Sequence, residues 1–193
     1  MLGLRLPTDP RWAELARKDL REALVDHAWC EQKAATNAIT ITVQHPEITE
    51  LVQELTRIAR EELEHFSMVV ERIEARGWVL GPERKDSYVN ELLAFVRKGG
   101  TREERLVDRL LFSAMIEARS CERFKLLAAT VDDAELRAFY RELMVSEAGH
   151  YTTFLGLARK YGGREDVDGR WAAFLAHEAE VVGRYGRSPA MHG

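Results

Sequence analysis

The sequence lacks an excess of positive charge: 28 Lys and Arg stand against 32 Asp and Glu, a net charge of −4. That balance gives no electrostatic case for nucleic-acid binding, which usually shows a basic excess or at least a basic face. Long apolar runs are also missing. Nothing approaches the ~18 apolar residues that read as a membrane span. The opening MLGLRLPTDPRW has no basic stretch followed by an apolar one, so no secretory signal is expected. Cysteine is scarce. Cys30 and Cys121 lie far apart and outside any CxxC pattern, which points to two reduced thiols rather than a disulfide framework. A cytoplasmic protein with no membrane attachment is the expectation. The remainder, 46% apolar and 31% charged over 193 residues, suits one globular domain spanning residues 1–193.

The apolar residues recur with helical period between a few clear breaks. A first long helix is expected from Pro10, capped by Thr8 or Asp9, to Pro46. Within it, Ile39 to Val43 is strand-like in composition but has no strand partner elsewhere. A second helix is expected over 47–76, ending at Gly77, and a short one over 87–97 inside a long connection. A third runs from Arg102 to Thr130 and a fourth, capped by Asp132-Asp133, from Ala134 to Tyr161. A last helix covers about 168–185. Two helical hairpins joined by a long crossover, with an extra C-terminal helix, is all-α and has the connectivity of a ferritin-like four-helix bundle.

Four carboxylates and two imidazoles interrupt the apolar stripes. Glu31, Glu62 and His65 recur as Glu117, Glu147 and His150, an internal repeat of about 85 residues. Helices rise ~1.5 Å per residue, so residues equidistant from a hairpin turn share a height. The midpoint of Glu31 and Glu62 falls at Pro46-Glu47, and that of Glu117 and Glu147 at Asp132; both are expected turns. Each hairpin therefore sets one Glu opposite one Glu-x-x-His, whose i,i+3 spacing puts both side chains on one face. Glu122 fails this test as a substitute for Glu117. Glu61 and Glu64 read as solvated neighbours, and His177 and His192 as unpartnered; His27, one turn before Glu31, reads either as an outer partner of that carboxylate or as a partly buried histidine. Burying an unpaired ion costs several kcal/mol. Two divalent cations would neutralise four inward carboxylates, and a donor set of oxygen and nitrogen without thiolate suits iron or manganese.

The stretches DHAWCEQKAA (26–35), AREELEHF (59–66), LVDRLLFSAMIEARSCERF (106–124) and LMVSEAGHY (143–151) resemble the tRNA 2-methylthio-isopentenyladenosine hydroxylase family. IEARSCERF is the most specific of them, since the metal site alone does not require it. The resemblance implies a carboxylate-bridged pair of iron ions on the same six residues and O2 as co-substrate. It also implies hydroxylation of the isopentenyl group of a tRNA nucleoside next to the anticodon. The two electrons needed would come from an external ferredoxin or flavin-reductase type donor. A monomer or small homo-oligomer is expected. The competing reading is a ferritin-like ferroxidase or another small dimetal oxidase. Two departures from the family, Gly149 before the final ligand histidine and the tail RYGRSPAMHG, bear on substrate handling rather than on the ligands. Candidate RNA contacts are Arg97-Lys98, Arg102, Arg105, Arg184 and Arg187, each of which also reads as a solvated helix end.

Overall fold

The computed structural model describes residues 2–185 and 187–192, which form seven helices and no strand. These are α1 (Pro10–Lys18), α2 (Leu20–Gln44), α3 (Thr49–Ala75), α4 (Ser87–Phe95), α5 (Arg102–Thr130), α6 (Ala134–Tyr161) and α7 (Val167–Val182). Helices α2 and α3 pair as one hairpin, α5 and α6 as the other. The crossover between them carries α4, and α7 packs against α4, α5 and α6. None of the helices is long and apolar enough to cross a membrane.

Local chemistry sets the element ends. Asp9, Asp86, Asp133 and Asp166 each accept a hydrogen bond from a backbone N–H in the first turn of the helix that follows. Thr101 and Glu104 form a reciprocal capping box at the start of α5. Helix α3 ends in a Schellman turn, with Trp78 N–H on the Ile73 carbonyl at 3.1 Å and Gly77 at φ 71°.

The expected first helix is two. Asp19 leaves the helical region (φ −126°, ψ 67°), and its carboxylate accepts from Glu22 N–H to start α2 afresh. The segment Ile39 to Val43 is helical as expected. Thr40 and Thr42 donate back to the carbonyls of Thr36 and Ala38, and Ile41 is fully buried.

The core has two apolar clusters. One gathers Ile41, Leu55, Ile58, Leu110, Phe154 and their neighbours; the other gathers Trp12, Leu24, Val69, Phe124, Tyr140 and Leu143. On every bundle helix the carboxylate and histidine positions fall between the residues given to one cluster and those given to the other. They form a polar layer across the middle of the bundle.

Candidate metal centre

Each donor reaches this layer because its helix presents the same face to both clusters. Glu31 lies between Ala28 and Ala38 on α2, and Glu62 and His65 between Ala59 and Val69 on α3. Glu117 lies between Ala114 and Phe124 on α5, and Glu147 and His150 between Leu143 and Phe154 on α6. All six side chains are buried.

The structure brings all six sequence-derived residues together in two overlapping sets. Glu31, Glu62, His65 and Glu147 each place one donor atom within 4.8 Å of the others, and so do Glu62, Glu117, Glu147 and His150. Glu62 and Glu147 belong to both. His65 Nδ1 lies 3.6 Å from Glu31, 3.7 Å from Glu62 and 3.5 Å from Glu147. His150 Nδ1 lies 2.7 Å from Glu62 and 3.8 Å from Glu147.

These contacts are close without being hydrogen bonds. Both oxygens of Glu62, Oε1 of Glu147, and Nδ1 of His65 and of His150 are buried and lack a hydrogen-bond partner. Buried polar atoms are rarely left so, because each costs about 1–3 kcal/mol. Donor atoms that converge without satisfying one another are what a cation site requires, and two divalent ions match the four carboxylates in charge. The residues fit the dimetal expectation.

Without a cation, protons balance the charge. Burial would lower the two histidines, but Glu31 and Glu62 raise His65 to about 10, and Glu147 and Glu62 raise His150 to about 11. Burial, then the charges of Glu147 and Glu31, push Glu62 up to about 8. Burial, then the charges of Glu147 and Glu62, push Glu117 well up. Glu31 goes the other way: burial opposes its charge, yet the hydrogen bond from His27 and the nearby His65 hold it below the usual carboxylate range.

Two outer partners support the donors, and one of them, Glu61, differs from the sequence-based expectation. Glu61 is not simply solvated; its carboxylate lies 2.8 Å from His150 Nε2 and is also bound by Arg57. His27 is wholly buried, with Nε2 2.6 Å from Glu31 Oε1. Its signal was the i,i+4 spacing from Glu31. Glu122 is engaged elsewhere, accepting from Thr8 and Arg119. Arg119 in turn meets Glu178, which also accepts from Tyr88. The motif IEARSCERF thus ties α5 to the N-terminal segment, α4 and α7. Cys30 and Cys121 are both free thiols.

The carboxylates open on a cavity of about 230 Å³. Glu31, Glu62, Glu117 and Glu147 line it, with Ala34, Val89, Leu93, Phe112 and Ile116 as apolar wall; neither ligand-type imidazole reaches it. Asn37 bridges the wall, donating to Ser113 at 2.7 Å and accepting from Arg109 at 2.6 Å. His192 also lines the cavity, and its Nδ1 lies 2.9 Å from Asp86 Oδ2, so it is not the unpartnered residue expected from sequence. Among the candidate RNA contacts, Arg97 is held by Asp108 and Glu165, Arg102 by Glu47, and Arg184 by Glu91.

A family model described as tRNA-(MS[2]IO[6]A)-hydroxylase (MiaE) matches residues 2–193. The chain belongs to this family. A tRNA 2-(methylsulfanyl)-N(6)-isopentenyladenosine(37) hydroxylase from Pseudomonas putida is 40% identical over 179 residues, covering 93% of this chain and 86% of the relative. The hydroxylase of the same name from Salmonella typhimurium is 30% identical, over 93% of this chain and 83% of its own. A solved structure, "Protein 43 with aldehyde deformylating oxygenase activity from Synechococcus", superposes with a TM-score of 0.91 at 36% identity, covering 98% of this chain and 95% of that one. The ferritin-like bundle expected from the hairpin connectivity agrees with this likeness.

Proposed function

We propose that this member of the hydroxylase family is a dimetal tRNA hydroxylase. In this reading Glu31, Glu62, His65, Glu117, Glu147 and His150 would hold two iron ions, Glu62 and Glu147 belonging to both donor sets. The substrate is the isopentenyl group of 2-methylthio-isopentenyladenosine next to the anticodon. O2 is the co-substrate, and two electrons come from an external ferredoxin or flavin-reductase type donor. The observation that carries the reading is the pair of donor sets sharing two carboxylates at the floor of an apolar cavity.

When bound, the metal pair supplies oxygen activation, which no side chain can provide. The rest falls to the chain's own residues. Val89, Leu93, Phe112 and Ile116 exclude water from the reacting carbon and receive an apolar side chain. The cavity lies below the ~300–1,000 Å³ typical of sites for drug-sized ligands, so it accepts the isopentenyl group and leaves the nucleotide outside. Asn37, held by Ser113 and Arg109, places amide and guanidinium groups beside that wall for a polar edge of the base. His27 and Glu61 fix the orientation of Glu31 and His150. The protein would meet tRNA in the cytoplasm, as a monomer or small homo-oligomer.

The test loads the chain with ferrous iron and incubates it with isopentenylated tRNA, reductant and O2. A hydroxylated adenosine derivative should appear after digestion. An unchanged nucleoside from protein carrying two reduced irons overturns the proposal. An aldehyde run in parallel checks the activity named for the Synechococcus protein. Many irons per chain in a large shell would favour the ferroxidase reading instead.

A further inference from the structure

Among the described residues, the geometric test that picks out the two halves of the dimetal site picks out one further set: Cys30, Asp86 and His192. They come from three segments that nothing in the sequence links, α2, the crossover and the C-terminal tail. We propose that this set is a second, separate metal site, which takes a single divalent ion of zinc type through the Cys30 thiolate, an Asp86 oxygen and His192 Nδ1.

The spacing suits it. Cys30 Sγ lies 3.8 Å from His192 Nδ1, and His192 Nδ1 shares a 2.9 Å hydrogen bond with Asp86 Oδ2 that the ion would replace. Zinc bonds of roughly 2.0–2.3 Å to N, O and S in a tetrahedron put donor atoms roughly 3.2–3.6 Å apart. The third pair, Cys30 and Asp86, lies within 4.8 Å, so small side-chain adjustments bring all three donors onto one ion. One thiolate and one carboxylate balance its charge, and a sulfur ligand favours zinc over the harder cations. This donor set differs in kind from the iron-type set, which has no sulfur.

The donors are already in place. Asp86 uses Oδ1 to cap α4 at Val89 N–H, leaving Oδ2 for the cluster. The tail is set by Met191 N–H on Asp26 at 2.7 Å and by Trp12 Nε1–H on the Ala190 carbonyl at 2.9 Å. Tyr88 stacks on the His192 ring, with centroids 5.2 Å apart. His192 is 2% exposed. All three side chains line the cavity that the four carboxylates floor. With three protein ligands, the fourth position goes to water or to a polar atom of whatever occupies that cavity.

Cobalt(II) added to the metal-free full chain tests this. A thiolate-to-cobalt charge-transfer band in the near ultraviolet should appear in the parent chain and in Cys121→Ser. It should be lost in Cys30→Ser and in His192→Ala. The six iron-type donors contain no sulfur, so the band reports on this site whether or not the dimetal reading holds. Zinc analysis should show one more ion per chain in the parent than in Cys30→Ser, with circular dichroism confirming that both are folded. No band in the parent, a band that survives Cys30→Ser, or equal zinc in the two proteins overturns the proposal.

Discussion

His150 is held from both sides: Nδ1 lies 2.7 Å from Glu62 inside the polar layer, and Nε2 lies 2.8 Å from the half-exposed Glu61. The outer carboxylate fixes the ring's orientation and makes the inner nitrogen the better donor. Loss of such an outer partner typically costs 10–100-fold in metal affinity or activity. Glu61→Gln should therefore weaken iron binding about tenfold or more while leaving the helical content unchanged. Titration of the metal-free protein with ferrous iron measures it, and unchanged affinity would return Glu61 to the role of a solvated residue.

Glu117 and Glu122 separate metal binding from stability. Glu117→Ala should reduce iron per folded chain below two. Glu122→Ala should keep two irons but lower the melting temperature, because it strips Thr8 and the buried Arg119 of an acceptor. A loss of about 2 kcal/mol corresponds to about 4–8 °C for a chain of this size. Metal analysis beside thermal denaturation distinguishes the two; equal metal loss would show that Glu122 competes for the ion.

The protons in the metal-free layer give a pH dependence of definite sign. His65 and His150, raised to about 10 and about 11, stabilise the metal-free fold fully below the unfolded value of about 6.5. That contribution is lost as pH rises through the folded values. Glu62, raised to about 8, acts in the same direction from about pH 4.3 upward. Metal must displace these protons, so its binding strengthens as pH rises. Between about pH 6 and about pH 8 the metal-free protein should lose stability, and the gap in melting temperature between loaded and metal-free forms should widen. Iron uptake in weak buffer should acidify the solution. Uptake without proton release would contradict the assignment.

Ile116 lines the cavity without being placed among the ligands. Ile116→Trp should fill the cavity, keep two irons and lower tRNA hydroxylation at least about tenfold, since small displacements of a reacting group can cost ~100-fold. Full activity in this variant would place the substrate elsewhere.

The convergence of the six residues was legible because two periodicities coincide in them: helix faces set which residues point inward, and hairpin midpoints set which share a height. Both are local and survive without an alignment. The bounds of α5 and α6 were equally legible from Gly99-Gly100, Asp132-Asp133 and Gly162-Gly163. The break at Asp19 had a signal that the apolar stripe overrode: Asp19-Leu20-Arg21-Glu22 has the Asp-x-x-Glu spacing of a helix start. Glu61 was hidden because its partner, His150, lies on another helix, 89 residues away. His192 was hidden for the same reason. Its place depends on Asp26, Trp12 and Tyr88, contacts that no repeat or periodicity encodes.

Exchanging the two hairpins maps Glu31 onto Glu117, Glu62 onto Glu147 and His65 onto His150, so one donor set becomes the other. The exchange fails one layer out. The position matching His27 is Ser113, and the position matching Glu61 is Ser146. Two ions bound there would share a near-twofold axis in their ligands but not in the charge behind them. They should differ in redox potential and in spectroscopic signature, and the first electron delivered would have a preferred destination.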